Sequence, residues 1–397
     1  MSSSPSQPLA GRRIWIAGIG GAGMSGYALV ARAWGAEVAG WDRVETPYLR
    51  HLDGVAVEIS AEPPPPPPGW DVYVSTAFAG RVEGRPRADL LAELVAERQA
   101  IVVAGAHGKT TTSAMIAFCL DRLGLDPAFL IGGDVSQLGG NARAGSGWLV
   151  VEGDESDRSV AALRPEIAVL LNVDLDHHTT FGSRAEVASF FEDWLRGVPQ
   201  VVRAEELEPV ELDLAVPGEH NRRNAAAALA ALELVGVPRE EAEAAIVEFR
   251  GAGRRLEPKG EARGVIVLDS YAHHPAELAA DLAALRDGGR LVALFQPHLY
   301  SRTLNLAHGF AKALAAADAA CMTEIYPARE EPVPGVSGRL IVDELARLRP
   351  GMRIGWAPEL EDAARLVAGW ARPGDTVLTL GAGDVDRAAP LILEALA

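Results

Sequence analysis

The sequence predicts a soluble α/β protein of two or three domains. Apolar, strand-like runs alternate with helix-like runs along the 397 residues, the pattern of sheets covered by helices. Two different glycine-rich turns each stand between such a strand and such a helix, at Gly18–Gly26 and at Gly105–Gly108. Polar clusters end several of the β-branched runs, where open α/β sheets gather ligands. Hydrophobic residues make up 48% of the chain, enough to fill more than one core. The 37 basic and 54 acidic residues leave a net charge of −17, which argues against nucleic acid or an anionic membrane as partner.

In chain order, residues 1–10 read as a disordered tail rich in Ser and Pro, without a basic segment leading into a cleavable apolar core. No uninterrupted apolar run reaches membrane-spanning length, and a cytoplasmic protein is expected. Cys119 and Cys321 each lie in an apolar run and read as buried, reduced thiols.

The first domain, 11–99, begins with strand Arg12–Ala17, then Gly18-Ile19-Gly20-Gly21-Ala22-Gly23-Met24-Ser25-Gly26, then a helix through Trp34. A second strand, Val38–Asp42, ends in an acid. The glycines permit close approach of a pyrophosphate, and Asp42 is placed to meet a ribose. Taken alone, the turn admits a nicotinamide oxidoreductase or a nucleotide-sugar binder. Pro63–Pro68 reads as a stiff extended spacer. Strand Asp71–Ser75 and helix Arg87–Leu94 then lead to a boundary near Ala100.

The central domain, 100–250, opens on the stretch around which the chain is organised. Strand Ala100–Val103 runs into Ala104-Gly105-Ala106-His107-Gly108-Lys109-Thr110-Thr111-Thr112 and an apolar helix over Ser113–Leu120. Strand, glycine turn, Lys-Thr and helix form the context of a phosphate-binding loop. Backbone N–H groups close on phosphate, Lys109 reaches the terminal phosphates, and Thr110 offers its hydroxyl to Mg²⁺. ATP is therefore expected, although Val103 stands where the full motif has its first glycine. Strand Trp148–Val151 ends in Glu152-Gly153-Asp154-Glu155-Ser156-Asp157, and Ile167–Leu171 ends in Asn172-Val173-Asp174-Leu175-Asp176-His177-His178. Mg²⁺ prefers oxygen, which favours Glu152 over His177 as a ligand. Asp154, Glu155 and Asp157 read equally well as solvated loop charge. Gly218 reads as the end of a strand before an Ala-rich helix to Val235.

The last domain, 251–397, follows a flexible glycine junction where Arg254 and Arg255 offer guanidinium forks suited to phosphate. Strand Val265–Asp269 ends in Ser270-Tyr271-Ala272-His273-His274-Pro275. Strand Leu291–Phe295 ends in Gln296-Pro297-His298-Leu299-Tyr300-Ser301-Arg302-Thr303, and Val377–Leu380 in Gly381-Ala382-Gly383-Asp384. The last of these serves a tight turn or a binding role alike.

Together, the glycine turn, Ala-His-Gly-Lys-Thr-Thr-Thr, Glu-Gly-Asp-Glu-Ser-Asp and Asn-Val-Asp-Leu-Asp-His resemble the Mur ligase family. The similarity runs from about Gly11 to the C-terminus and is nearest to members that attach L-alanine to UDP-N-acetylmuramate in peptidoglycan synthesis. It implies three domains: a Rossmann-like one for the UDP-sugar, a P-loop ATPase with a mostly parallel sheet, and a Rossmann-like one for the amino acid. It implies an ATP-dependent amide ligase working through an acyl phosphate, with Mg²⁺ or Mn²⁺, as a monomer or homodimer. Carried over by position, Lys109, Glu152, His177, His273, His298 and Arg302 become catalytic, with Thr110, Glu152 and His177 at the metal. Ala106, His107, Gly108, Lys109, Thr110, Thr111, His220, Asn221, Asn224 and Arg254 become ATP-binding. Gly20, Gly21, Ala22, Gly23, Met24, Ser25, Asp42, Ser75, Arg255, Asp269 and Tyr271 become substrate-binding.

Four departures accompany the resemblance. Only 42 residues separate His177 from His220, a shortened segment. No Lys lies between Thr110 and Pro258, so the carbamoylated Lys of some members has no candidate there. Ser270 stands where the family has Asp, and Leu299 where it has Arg, which leaves open a related ligase for another amino acid or a murein peptide. A degenerate nucleotide-binding regulator is the alternative without chemistry.

Overall fold

The computed structural model describes residues 7–175, 180–286, 289–328 and 330–397. They form two compact units: one of the chain up to Asp174 with Ser183–Ala215 and Arg222–Arg250, the other of Leu175, 180–182, Val216–Asn221 and Gly251–Ala397. The first unit contains two sheets and the second contains one.

The first sheet is built from β1 (Arg13–Ala17), β2 (Glu37–Asp42), β3 (Ala56–Ile59), β4 (Asp71–Val74) and β5 (Arg85–Pro86), with helices α1 (Ala22–Ala33) and α2 (Arg87–Ala96). Its order is β3-β2-β1-β4-β5, parallel throughout. The chain moves outward from β1 to β2 and returns to the other side as β4. This leaves a topological switch point between the carboxyl ends of β1 and β4, where such sheets bind ligands. Residues 63–67 of the proline run carry no regular secondary structure.

The second sheet holds β6 (Ala100–Ala104), β7 (Ala128–Val135), β8 (Gly140–Arg143), β9 (Leu149–Glu152), β10 (Ile167–Leu170) and β11 (Gln200–Arg203). Helices α3 (Lys109–Arg122), α4 (Arg184–Leu195), α5 (Glu219–Val235) and α6 (Arg239–Ile246) belong to this stretch of chain. The order is β11-β10-β6-β9-β7-β8, parallel except for the β7–β8 hairpin. Every residue of β6 is fully buried, which is why it reads as a continuous apolar run. Helix α1 of the first sheet packs on β7 and β8. A side chain at Gly26 would stand 3.0 Å from the Ala142 Cβ and 3.1 Å from Leu130, so the glycine sets this close approach. The strand expected to end at Gly218 is absent: residues 207–218 pair with no strand and lead directly to α5. Their alternation of Glu, Leu, Asp and Pro has no neighbouring strand to bond beyond β11.

The second unit holds β12 (Glu257–Ala262), β13 (Val265–Ser270), β14 (Leu291–Phe295), β15 (Ala319–Met322), β16 (Arg353–Trp356) and β17 (Thr376–Leu380). Its helices are α7 (Pro275–Ala284), α8 (Tyr300–Leu314), α9 (Arg339–Leu348), α10 (Leu360–Ala368) and α11 (Ala388–Leu396). The order β12-β13-β17-β14-β15-β16 is parallel apart from edge strand β12. Two apolar layers cover its faces, one around Phe295, Phe310 and Leu278, the other around Val267, Leu294 and Ile392. The start of α7 is written locally: the His274 ring accepts from the Ala276 N–H, Glu277 accepts from the His274 N–H, and Pro275 takes the first helical position. Cys119 and Cys321 are unpaired and buried, and burial pushes both thiols up to about 12. Among the described residues no helix is long and apolar enough to cross a membrane.

Candidate active site

In the first unit, Gly105–Gly108 forms a turn between β6 and α3 that only glycine accommodates at two points. Gly105 has φ +132° and Gly108 φ +86°, and a Cβ on Gly108 would lie 2.5 Å from the Asn224 Oδ1. Asn224, expected near the nucleotide, is thereby set against the loop. Asn172, at the end of β10, clamps the turn in both directions. Its Oδ1 accepts from the His107 N–H at 2.9 Å and its Nδ2 donates to the His107 carbonyl at 2.9 Å. Its backbone carbonyl accepts from the Ala106 N–H at 3.3 Å. The loop's shape thus depends on a neighbouring strand, a role not assigned to Asn172 from the sequence. The His107 Nε2 stands 3.8 Å from the Asp174 carboxylate, and Thr110 and Thr111 are both buried at the start of α3.

Lys109 donates to the carbonyls of Gly105 at 2.5 Å and Ala106 at 3.2 Å, and to both oxygens of Glu155, the nearer at 3.0 Å. Burial works to lower the pKa of this ammonium; the Glu155, Asp154 and Glu152 carboxylates together outweigh it, the net shift is upward, and the amine stays charged. The structure corrects the reading of the acidic loop as solvated charge. Glu155 is 3% exposed, and Asp154 and Asp157 both accept from the Arg87 Nη2, at 2.8 and 2.7 Å. Burial would raise the Asp154 pKa, but hydrogen bonding from Ser156 and the charges of Arg87 and Lys109 hold it below the usual range.

Glu152, at the end of β9, accepts from the Gly132 N–H at 2.6 Å and from the Thr110 hydroxyl at 3.2 Å. Two hard oxygen donors therefore meet beside Lys109, a donor set that fits Mg²⁺. His177, the third expected metal residue, lies outside the described residues.

The first glycine turn occupies the switch point of its sheet. Gly21 and Gly23 are exposed and Ala22 half-buried, leaving the N-terminal N–H groups of α1 accessible to an anion. Ser75 completes the cleft: its Oγ is buried and without a hydrogen-bond partner among the described residues. It stands so close to Gly18 that a Cβ there would overlap it. Two expectations change. Met24 and Ser25 are buried, so only their backbone can serve a ligand. Asp42 is 6% exposed, and its oxygens accept from the Gly20 N–H at 2.8 Å and the Arg43 N–H at 2.7 Å. Asp42 braces the turn from behind, and Gly20 is the residue it holds.

In the second unit, strand ends again carry the chemistry. His273 donates through Nδ1 to the Tyr271 carbonyl at 2.9 Å, which places a proton on Nδ1. Tyr271 is 36% exposed. The His298 ring lies 5.9 Å from that of His273 and stacks on Tyr326 at 5.8 Å. The Arg302 Nη1 lies 3.2 Å from the His298 Nδ1; a guanidinium only donates, so His298 carries its proton on Nε2. Arg302 is 3% exposed, so it supports His298 from behind. Leu299 has φ +71°, an uncommon conformation for a branched side chain.

Two further expectations are corrected here. Asp269 is fully buried and accepts from the Thr379 hydroxyl at 2.6 Å and the Arg254 Nε at 2.8 Å, so it touches no substrate. The Arg254 guanidinium also donates to the carbonyls of Gly381 at 2.7 Å and Gly383 at 2.8 Å. It latches loops of the second unit together, where an exposed phosphate fork was expected. Arg255 is held more loosely, 3.9 Å from Glu277. Gly383 fits tightly under Gln296 and Tyr326, which favours the tight-turn reading of Gly381–Asp384. His220 and Asn221 open α5, with the Asn221 Nδ2 donating to the Pro217 carbonyl at 2.7 Å. Burial and the Arg255 charge lower the His220 pKa.

A family model described as the Mur ligase middle domain matches residues 103–202, and one described as the Mur ligase glutamate ligase domain matches 254–383. The UDP-N-acetylmuramate–L-alanine ligase of Streptomyces griseus is 39% identical, with 99% of each chain covered. That of Streptomyces coelicolor is 40% identical at the same coverage. The alignment with the S. griseus ligase runs over 472 positions against 397 residues in this chain, so that relative has segments absent here. Among solved structures, the UDP-N-acetylmuramate–alanine ligase of Thermotoga maritima matches with a TM-score of 0.78 and 27% identity, covering 96% of this chain and 98% of that one. A murein peptide ligase of Psychrobacter arcticus matches with a TM-score of 0.64 and 25% identity, covering 97% of this chain and 99% of that one.

Proposed function

The chain belongs to the Mur ligase family, and on that premise we propose that it joins L-alanine to the carboxylate of UDP-N-acetylmuramate, converting ATP to ADP and phosphate, in peptidoglycan synthesis. The observation that carries the reading is the phosphate loop with Lys109 charged at its mouth and Thr110 hydrogen-bonded to Glu152. Residues 11–99 are taken as the UDP-sugar domain, 100–250 as the ATP domain and 251–397 as the amino-acid domain. The turn at Gly21–Gly23, with the buried Ser75 hydroxyl, receives the UDP pyrophosphate.

In the reaction, an oxygen of the sugar carboxylate attacks the γ-phosphorus and ADP leaves. The alanine amine then attacks the carbonyl carbon of the acyl phosphate, the bond to phosphate breaks and phosphate leaves, and the nitrogen gives up one proton. Lys109 and the N–H groups at the start of α3 hold the phosphates in line, so the protein supplies mainly position and charge. Thr110 and Glu152 would hold Mg²⁺, or Mn²⁺, which neutralises phosphate charge when bound. His177 belongs to this proposal by resemblance. His273, oriented by its Nδ1 bond to the Tyr271 carbonyl, and His298, supported by Arg302, serve the amino acid; Tyr271 and Arg255 border it. Asn224, His220 and Asn221 serve the nucleotide. The enzyme is taken to act in the cytoplasm, as a monomer or homodimer.

Leu299 is the specific observation that keeps the identity of the amine in play. The test is phosphate release with ATP, Mg²⁺ and UDP-N-acetylmuramate, with each of the twenty amino acids in turn. Release that requires both the sugar and L-alanine is expected. Release with another amine would move the specificity. Tight nucleotide binding with no release for any amine would replace the ligase by a nucleotide-binding regulator.

A further inference from the structure

The second unit holds a buried carboxyl that the ligase reading leaves without a role. Asp281, on α7, is 9% exposed. Its Oδ2 accepts from the Ser270 hydroxyl at 2.5 Å, and the Ser270 Oγ in turn accepts from the Ala272 N–H at 3.1 Å. Ser270 ends β13, and Ala272 sits between Tyr271 and His273, so this two-bond chain fixes the turn that presents them. The other oxygen, Oδ1, faces the His220 Nε2 at 3.9 Å, a distance for charge and not for a hydrogen bond. The segment carrying His220 is pressed onto the same helix: a Cβ on Gly218 would meet both the His220 ring and Ala284.

We propose that Asp281 is a positioning residue of the ligase, setting the Tyr271–His273 turn through Ser270 and the first turn of α5 through His220. The proposal rests on the ligase reading for what those segments do. The departure at Ser270 and the unassigned acid at Asp281 are two ends of one hydrogen bond, so the carboxylate group is supplied from the helix and relayed by the hydroxyl. Because the Ser270 proton is committed to Oδ2, a proton on Asp281 resides on Oδ1, towards His220. The groups that face it are Ser270 from β13, His220 from the start of α5, Arg255 from the segment before β12, and Glu277 from its own helix. Burial, opposed by the Ser270 hydrogen bond and the Arg255 charge and aided by Glu277, raises the carboxyl to about 7. Burial also lowers the His220 pKa, and at 3.9 Å the two groups act on each other through charge and not through a shared proton.

The first test uses no substrate. Between the unfolded carboxyl value of about 4 and the folded value of about 7, only the folded chain binds this proton. Its contribution to stability is therefore full below that range and lost as pH rises through it. The difference in melting temperature, Asp281→Asn minus wild type, should climb between pH 5 and 7 and level off above. A flat difference overturns the proposal, whether or not the wild type makes product.

The second test reads activity. Asp281→Ser should lower kcat/KM for L-alanine by about tenfold or more and, through His220, weaken ATP binding as well. Adding Ser270→Asp, which returns a carboxylate to the other end of the same bond, should recover most of the loss. A double variant no better than Asp281→Ser overturns the relay. Should Asp281→Ser not fold, Ser270→Ala removes only the hydroxyl; it should lower kcat/KM for L-alanine in the same way, and a wild-type value overturns the proposal. A wild type inactive with every amine would count against the ligase reading and leave the melting result standing.

Discussion

Glu155 shows how one residue sets the state of the phosphate loop. It is 3% exposed, and its carboxylate holds the Lys109 ammonium together with two carbonyls of the loop. ATP phosphates must draw the ammonium away from these partners, so Glu155 both stabilises the loop and competes with nucleotide. Glu155→Gln keeps the size and loses the charge. Breaking a buried pair in this way costs about 3 kcal/mol, which a fall in the denaturation midpoint would register. ATP should bind the variant at least as tightly as wild type. A parallel loss of stability and of ATP affinity, read by nucleotide titration, would refute the competition. Lys109→Ala is the complementary case: sugar- and alanine-dependent phosphate release should fall by about 10²-fold or more, and release within a few-fold of wild type would remove Lys109 from the mechanism.

Between elements, Arg87 is the joint. It stands at the start of α2 and bonds two acids in the loop after β9, so the first sheet is fastened to the loop that follows Glu152 and carries Glu155. Its partners are partly exposed, the Asp154 side chain by 39%, so Arg87→Ala should cost only about 1–2 kcal/mol. Arg87→Lys should recover part of it, because a single nitrogen makes both bonds and an ammonium can donate to two carboxylates; no recovery in a melting series would show that charge alone does not suffice. This joint also marks where the sequence ceased to be legible. The phosphate loop, β6, β13, β14 and both glycine turns could be read from apolar runs and turn residues, which are local. The β7–β8 hairpin could not: Gly140-Asn141-Ala142-Arg143 has no β-branched residue, and it is a strand only because β7 and α1 flank it. Asn172 and Arg254 follow the same logic. Asn172 finds the loop because β10 pairs with β6, and Arg254 reaches carbonyls more than a hundred residues away. Such partners are set by sheet order, which residue spacing does not encode.

At the scale of the whole molecule, the two compact units divide the proposed substrates. The turn at Gly21–Gly23 and the Ser75 hydroxyl belong to the first unit, whereas Tyr271, His273 and His298 belong to the second. A ligand that binds only folded protein stabilises the unit it binds, by about 2.7 kcal/mol at a hundredfold excess over its Kd. UDP-N-acetylmuramate should therefore raise the calorimetric transition of the first unit, which unites both of its sheets through the Gly26 approach and the Arg87 joint. Because α1 packs on β7 and β8, the shift should carry the second sheet with it, and hydrogen exchange should report added protection in β6 as well as in β1. Protection confined to β1, β2 and β4 would mean that the first sheet unfolds by itself and that Arg87 and Gly26 do not couple it to the phosphate loop. Protection reaching β6 would mean that a sugar bound at one switch point steadies the loop that must receive ATP, with no contact between sugar and loop required.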